Sequence, residues 1–298
     1  MEEIKECLIC GTKDFKIHLQ TEDYFLTKEK FTIVTCPNCG FRFLNPRPIS
    51  KELGRYYESP QYISHSNSKT GLTNILYQII RQFTLRKKFT LVNRLVSSGK
   101  NILDIGCATG EFLNEFQNHG WSSHGIEPNK NAREFARRNY GLDIRPEEEI
   151  IDYKNDSFDV ITMWHVLEHV AALPERIDEI VRLLKNDGVL LVAVPNSDSF
   201  DANYYGKFWA AYDVPRHLYH FSPVTIKRLF EKHGFILQKS FPMKFDAFYV
   251  SLLSEKYKNG KINYFKALWK GMQSNLHARK DNNYSSLIFV FKFAEKRN

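Results

Sequence analysis

Long apolar runs are missing from this chain of 298 residues. The longest, Val189 to Val194, has the length of a strand and falls far short of the ~20 residues that a membrane-spanning helix needs. Cysteine is scarce as well. Five in the whole chain are too few for a disulfide framework. The opening MEEIKECLIC is acidic and carries cysteines, so it does not read as a basic, apolar signal peptide. These three absences together predict a cytoplasmic chain with reduced thiols. Acidic side chains are outnumbered, 34 Asp and Glu against 42 Lys and Arg, for a net charge of +8. That excess permits an anionic partner, such as a nucleotide-sugar, a nucleic acid or a lipid headgroup, without requiring one. Aromatics are plentiful. With 23 Phe and 15 Tyr in a composition 43% apolar and 26% charged, the chain can build a large core and is not disordered. Its length suggests about two units at ~150 residues each.

Four of the five cysteines fall in the first 40 residues, as Cys7-Leu-Ile-Cys10-Gly11 and Cys36-Pro-Asn-Cys39-Gly40. Two residues between cysteines let both thiolates of a tight turn face one ion. The following glycine tolerates positive φ and lets its N–H approach a sulfur. Two matched knuckles supply the four ligands of a closed tetrahedral zinc site, which leaves no position for a reacting water and is therefore structural. Between them FKIHLQ and FTIVTC read as the strands of a hairpin. So small a unit needs the folding energy that a metal provides. We assign residues 1–46 to this zinc-ribbon-like unit. Residues 47–98 follow as a linker and helical lid. FRFLNPRPIS, which straddles that boundary, reads as an extended linker, and a helical period runs through Leu72, Ile75, Leu76, Ile79, Ile80 and Phe83 to Phe89, Val92, Leu95 and Val96. A basic face carries Arg81, Arg86, Lys87, Lys88 and Arg94.

From residue 99 strands and helices alternate, which predicts a doubly wound parallel α/β sheet with ligands beyond the carboxyl ends of its strands. The stretch NILDIGCATGE is a buried strand running into a glycine turn. SSHGIE is a second strand, and a helix from Asn129 to about Tyr140 stops at Gly141. DIRP and FDVITMWHV follow as strands, then a helix from Pro174 to Gly188, then VLLVAVP. Glu127 ends the second strand, where a carboxylate reaches a ribose. A dinucleotide fingerprint is absent, because Ala108 and Glu111 occupy its second and third glycine positions. An anionic Glu111 does not suit a pyrophosphate, so the turn fits a nucleoside without a phosphate chain.

LDIGCATGEFL, GIEPN and FDVITMWHVLEHV, in that order, resemble the motifs of class I S-adenosylmethionine-dependent methyltransferases, in the branch with a His-Val-Leu-Glu-His stretch after the fourth strand. The resemblance implies a Rossmann-like, seven-stranded doubly wound sheet preceded here by the zinc unit. SSLIFVFKF is its candidate last strand and LQKSFPM the partner. It also implies that Asp104 orients the methionyl amine and that Gly106 and Gly110, with Cys107 between them, let the backbone approach the cofactor. Glu127 takes the ribose hydroxyls, and Met163, Trp164 and His165 flank the cofactor. An acid after the third strand holds adenine, and Glu147 is chosen among Glu147, Glu148 and Glu149. Cys107 reads as a small turn residue rather than a nucleophile.

Residues 196–222, rich in Asn, Asp, Tyr, Trp and His, form an insert where the acceptor should lie. Its Pro-Arg-His-Leu-Tyr-His-Phe-Ser is partly similar to a stretch of bacterial nucleotide-sugar C-3-methyltransferases, which also carry an N-terminal four-cysteine unit. That similarity implies a base at His217, although Arg216 and Val214 stand where those enzymes have Glu and Tyr. His165 and His169 are the other candidates for proton transfer. Ser222-Pro223 starts a helix as N-cap and first residue.

Three functions are weighed. The first is methyl transfer to a small molecule, a nucleotide- or lipid-linked sugar or another envelope or natural-product intermediate. The second is an RNA methyltransferase using the zinc unit for recognition, as in a ribosomal RNA guanine methyltransferase. The third is a non-enzymatic adaptor. The mixed charge of the zinc unit speaks against RNA, and intact Asp104, Gly106, Gly110 and Glu127 speak against an adaptor. Residues 241–298, alternately aromatic and basic, are read as a cap over the substrate, with a peripheral membrane helix as the other reading. Oligomeric state is not legible.

Overall fold

The computed structural model describes residues 1–57, 72–96 and 99–295, with side chains of the helix Leu72–Leu95 from Phe83 onward. The linker residues 58–71, 97 and 98, and the apolar positions Leu72 to Ile80 of the lid with Arg81, lie outside the residues whose side chains are described.

The knuckles frame the hairpin that their spacing predicts. Strand β1 (Lys16–Glu22) pairs antiparallel with β2 (Lys30–Thr35), from Lys16 opposite Thr35 to Glu22 opposite Lys30. Where FRFLNPRPIS reads as a linker, Arg42–Leu44 is instead a third strand, β3, antiparallel to β2. The sheet is then completed from far along the chain. Tyr219–His220 in the insert pairs with β3, placing Arg42 opposite His220 and Phe43 opposite Tyr219. Phe41, Phe43, Tyr219 and Phe221 form its aromatic core, each 1% exposed or less.

The glycine-turn region builds the expected sheet. Helix α1 (Leu72–Leu95) precedes β4 (Asn101–Ile105), α2 (Glu111–Gln117), β5 (Ser122–Ile126), α3 (Lys130–Tyr140) and β6 (Asp143–Arg145). Next come β7 (Phe158–Trp164), α4 (Leu173–Leu183) and β8 (Leu184–Pro195). After these, α5 (Phe200–Tyr205) is followed by the insert strand β9 (Tyr219–His220) and α6 (Pro223–Glu231). Strand β10 (Phe235–Pro242), α7 (Asp246–Asn259), α8 (Tyr264–Asp281) and β11 (Ser286–Phe293) complete the described chain. The seven strands stand in the order β10-β11-β8-β7-β4-β5-β6, with β7, β4, β5 and β6 parallel. Of residues 241–298, two helices lie outside this sheet and β11 lies within it, between β10 and β8.

Several local signals act as read. Gly141 closes α3 at φ 66°, and Asn129, where the sequence starts that helix, is its N-cap and accepts the Ala132 N–H. Ser222 and Thr225 form a reciprocal capping box with Pro223 at the first helical position. One boundary differs. The helix after Pro174 ends at Leu183 rather than Gly188, and Gly188 lies inside the twelve-residue β8.

Compactness divides the described chain into two units. Of the described residues, one gathers 1–57, Leu167–Pro174 and Ala193–Phe289, and the other 72–96, 99–166, Glu175–Val192 and 290–295. The division differs from the sequential ranges 1–46, 47–98 and 99–298, because β9 joins the N-terminal sheet. In the second unit Val92 of α1 is buried, and Phe89 packs edge-on against Phe116 of α2 with ring centroids 4.9 Å apart.

Candidate functional site

The glycine turn follows β4 in the second unit. Three residues in five adopt positive φ, namely Gly106 at 76°, Ala108 at 49° and Gly110 at 79°. A Cβ on Gly106 would lie 2.4 Å from Val166 Cγ2, so glycine is required there by space as well as by conformation. Ala108, where the resembled family often has glycine, holds the same left-handed turn at some conformational cost. Cys107 is buried, and its sulfur packs where a Cβ on Gly125 would stand. Burial, followed by the carboxylates of Asp104 and Glu127, pushes its thiol pKa far up. Its side chain fills the packed interior of the turn.

Two acids lie beside this turn. Asp104, 2% exposed at the end of β4, accepts the Thr162 hydroxyl at 2.6 Å. Glu127, 8% exposed just past β5, accepts the Ala108 N–H at 2.9 Å with one oxygen and the Asn129 N–H at 2.8 Å with the other. Glu127 thus holds the turn in shape, and each of its oxygens keeps a second lone pair for a hydroxyl. Burial raises both carboxyls, Asp104 to about 7, where the Glu127 charge adds to the effect and Thr162 and Lys88 oppose it. Two buried acids left short of positive charge suit a cationic ligand. Met163 is fully buried in β7. Trp164 is half-buried against Phe112, with the Lys88 ammonium 4.0 Å from its ring centroid. Among the described residues the buried Trp164 Nε1–H has no hydrogen-bond acceptor. His165, next in the chain, is a non-glycine residue at φ 57°. Such sites concentrate where function over-determines the backbone.

Glu147 lies apart from these, in a short 3-10 turn after β6, with its side chain about half exposed and paired to Arg176 on α4. Arg176 is 8% exposed, and its Nε and Nη1 have no acceptor among the described residues. Sequence reading missed Arg176, since one arginine on an amphipathic helix carries no signal.

In the first unit the four cysteines converge. One sulfur from each lies within 4.8 Å of the others, with Cys7 to Cys39 and Cys10 to Cys36 both at 3.5 Å. A tetrahedral ion with bonds of ~2.3 Å needs sulfurs about 3.8 Å apart. The two knuckles repeat one backbone pattern. The amides of Cys7 and Cys36 donate to the carbonyls of Thr12 and Phe41, and those of Gly11 and Gly40 return to Cys7 and Cys36. The glycine N–H groups therefore close the turns on carbonyls rather than on sulfurs.

The first unit also brings His169 and His217 together, their rings edge to face with centroids 4.5 Å apart. His217 Nδ1 sits 2.8 Å from the Ala211 carbonyl, and His169 Nδ1 sits 3.0 Å from that of Arg216. A carbonyl only accepts, so His217 Nδ1 carries hydrogen and its Nε2 is the basic nitrogen, while His169 Nδ1 also lies 3.0 Å from the Tyr57 hydroxyl. Burial, then the neighbouring His217, lowers His169 to about 4, so it stays neutral at ordinary pH. Ligand atoms of Glu168, His169 and His217 lie within 4.8 Å of one another, a donor set able to take a proton or a cation. Arg216 beneath them is 1% exposed. It donates to Asp213 at 2.9 and 2.7 Å, to Asp23 at 2.8 Å and to the Tyr56 carbonyl at 3.1 Å. Burial alone would raise Asp23, but Arg216 and the amides of Leu26 and Thr27 bring its carboxyl below the usual value. Sequence reading missed Asp23 because its partner is 193 residues away.

A parallel sheet whose first strand ends in a glycine turn, braced by a buried acid from the next strand, defines an α/β protein that binds a nucleoside cofactor. The chain belongs to a methyltransferase family, whose model, described as "Methyltransferase domain", matches residues 77–240, just over half of it. A ubiquinone biosynthesis O-methyltransferase from Actinobacillus pleuropneumoniae is 36% identical over 110 residues, 33% of this chain and 47% of that protein. One from Rhodopseudomonas palustris is 30% identical over 108 residues, 33% of this chain and 41% of that protein. The chain thus spans less than half the length of these curated relatives. Among solved structures, a geranyl diphosphate C-methyltransferase from Streptomyces coelicolor shares the fold with a TM-score of 0.52 and 11% identity, over 80% of this chain and 87% of that one.

Proposed function

We propose that this chain is an S-adenosylmethionine-dependent methyltransferase acting on a small-molecule acceptor, a sugar or a related envelope or natural-product intermediate, with His217 as the base. One observation carries the cofactor assignment. The buried carboxyls of Asp104 and Glu127 lie beside a glycine turn that Glu127 itself braces. Asp104 would hold the methionyl ammonium and Glu127 the ribose hydroxyls. Trp164 Nε1 offers a donor that has no acceptor within the described protein, and Glu147 serves the adenine end. S-adenosylmethionine supplies, when bound, a methyl group on a good leaving group, so the chain contributes chiefly position and proton removal. His217 Nε2 takes the acceptor's proton, and neutral His169 orients it. Relatives named for ubiquinone biosynthesis support a small-molecule acceptor. The four thiolates hold one structural zinc.

Titration calorimetry with S-adenosylmethionine tests the reading. Glu127→Gln keeps the shape of the side chain and removes its charge, and Glu127→Ala removes both. Hydrogen bonds to a charged acceptor contribute about 1.5–3 kcal/mol each, so the Ala variant should bind at least tenfold more weakly. Wild-type affinity in the Ala variant would place the ribose elsewhere, and a wild-type chain that does not bind would defeat the assignment.

A further inference from the structure

Helix α8 is inside out. The side chains it buries are small, Ala267, Gly271, Ser274 and Ala278. A Cβ on Gly271 would come within 2.7 Å of Phe248 and 2.9 Å of its Cα, so α7 requires a small residue there. The large apolar side chains lie outside that buried face. Tyr264, Phe265, Leu268, Trp269, Met272 and Leu276 are between 40% and 82% exposed, Phe265 most of all. At 3.6 residues per turn these six fall within an arc of about 140° that does not overlap the arc of the buried small residues. A surface helix of a water-facing protein presents the reverse pattern. A continuous apolar stripe of this kind marks a surface that something covers.

The charge around the stripe selects the occupant. From Lys244 to Asp281 there are eight Lys and Arg and three Asp and Glu, a net +5 in 38 of the 298 residues, against +8 for the whole chain. Lys256, Lys258, Lys261, Arg279 and Lys280 are exposed. A second copy docking this face on itself would oppose two sets of like charges. An anionic lipid surface complements them, at ~1 kcal/mol per basic residue near the headgroups. Exposed Trp and Tyr beside Lys is the composition of the interfacial zone, where aromatic rings sit at headgroup level and lysines reach outward. No helix among the described residues is long and apolar enough to cross a bilayer, so the contact is peripheral.

We infer that α8 docks this unit on anionic membranes, lying in the interface with Phe265 and Trp269 inserted. The inference is independent of which acceptor is methylated. The experiment uses the full chain and vesicles of phosphatidylcholine, with or without phosphatidylglycerol, in a sedimentation assay at low and high salt. Phe265→Ser with Trp269→Ser removes two of the exposed rings, and circular dichroism verifies the fold. The wild type should sediment with anionic vesicles and lose binding as salt rises. It should bind neutral vesicles at least tenfold less, and the double variant should lose at least tenfold in partition. Emission from Trp269, taken as the difference between wild type and Trp269→Phe, should shift to the blue on vesicles. No binding to anionic vesicles, equal binding by the double variant, or an unshifted Trp269 each overturns the inference. So does a wild-type dimer in solution that the double variant dissolves without any vesicle binding, because the face would then belong to a second copy.

Discussion

At the scale of single residues, Asp104 joins structure to a measurable property of binding. Burial, with the nearby Glu127 charge, raises its carboxyl to about 7. The proposed ligand places an ammonium against it and so favours the ionised form. Below pH 7 that ammonium must displace a proton, and above pH 7 the carboxylate already waits. S-adenosylmethionine affinity should therefore rise with pH up to about 7 and then level off. One pKa unit corresponds to 1.36 kcal/mol, so each pH unit below 7 should weaken binding by up to about tenfold. Titrations in two buffers of different ionisation enthalpy read the proton release directly. Asp104→Asn should bind weakly at every pH and lose this slope. A flat affinity between about pH 5.5 and 8 would show that the acid ionises freely without ligand.

At the scale of elements, the insert decides what the histidines do. His217 uses Nδ1 on the Ala211 carbonyl, so the loop fixes its tautomer before any acceptor arrives. His217→Asn keeps a polar side chain of similar reach and removes the base. It should leave cofactor affinity intact and cut turnover by about 10²–10⁴-fold, the usual range for general-base catalysis. His169→Asn should have a smaller effect, since His169 is held neutral by its burial and by His217 and serves to orient. Wild-type turnover in His217→Asn, measured by methyl transfer from labelled S-adenosylmethionine, would reduce His217 to packing. The same elements show what a sequence displays. Caps at Gly141 and Ser222 were legible because each is a contact within three or four residues. The hairpin was legible from alternation between two knuckles, and the cofactor turn from glycines whose φ only they adopt readily. The pairing of β9 with β3 and the Arg216–Asp23 ion pair were not legible, because they join residues more than 170 apart with no local pattern. The misplaced end of α4 has a related cause. Gly188 looked like a helix stop, yet the chain had already entered β8, where the sheet rather than the local sequence fixes the backbone.

At the scale of the whole molecule, the first unit is discontinuous. Its four-stranded sheet takes three strands from the first 44 residues and the fourth from Tyr219–His220. Arg216 ties the same loop to Asp23, and from α6 and just beyond it Arg228 and Lys232 donate to the carbonyls of Cys39 and Leu8 in the knuckles. The N-terminal cysteines therefore belong to the framework that shapes residues 213–221, although they are remote from them in sequence. Structural zinc in small domains contributes about 10–16 kcal/mol of apparent binding energy, comparable to or larger than the ~5–15 kcal/mol that stabilises a whole domain. Losing the ion should therefore unfold more than the knuckles. Metal analysis should find one zinc per chain, and Cys36→Ser should abolish it. Hydrogen exchange should then accelerate in β1, β2 and β3, and also across Asp213–Phe221. Cofactor titration, which reads the second unit, should be nearly unchanged while turnover collapses. Exchange confined to the first 46 residues would make the zinc-bearing segment a separate module, and a zinc-free wild type with the same protection would show that the four thiols close the turns without an ion.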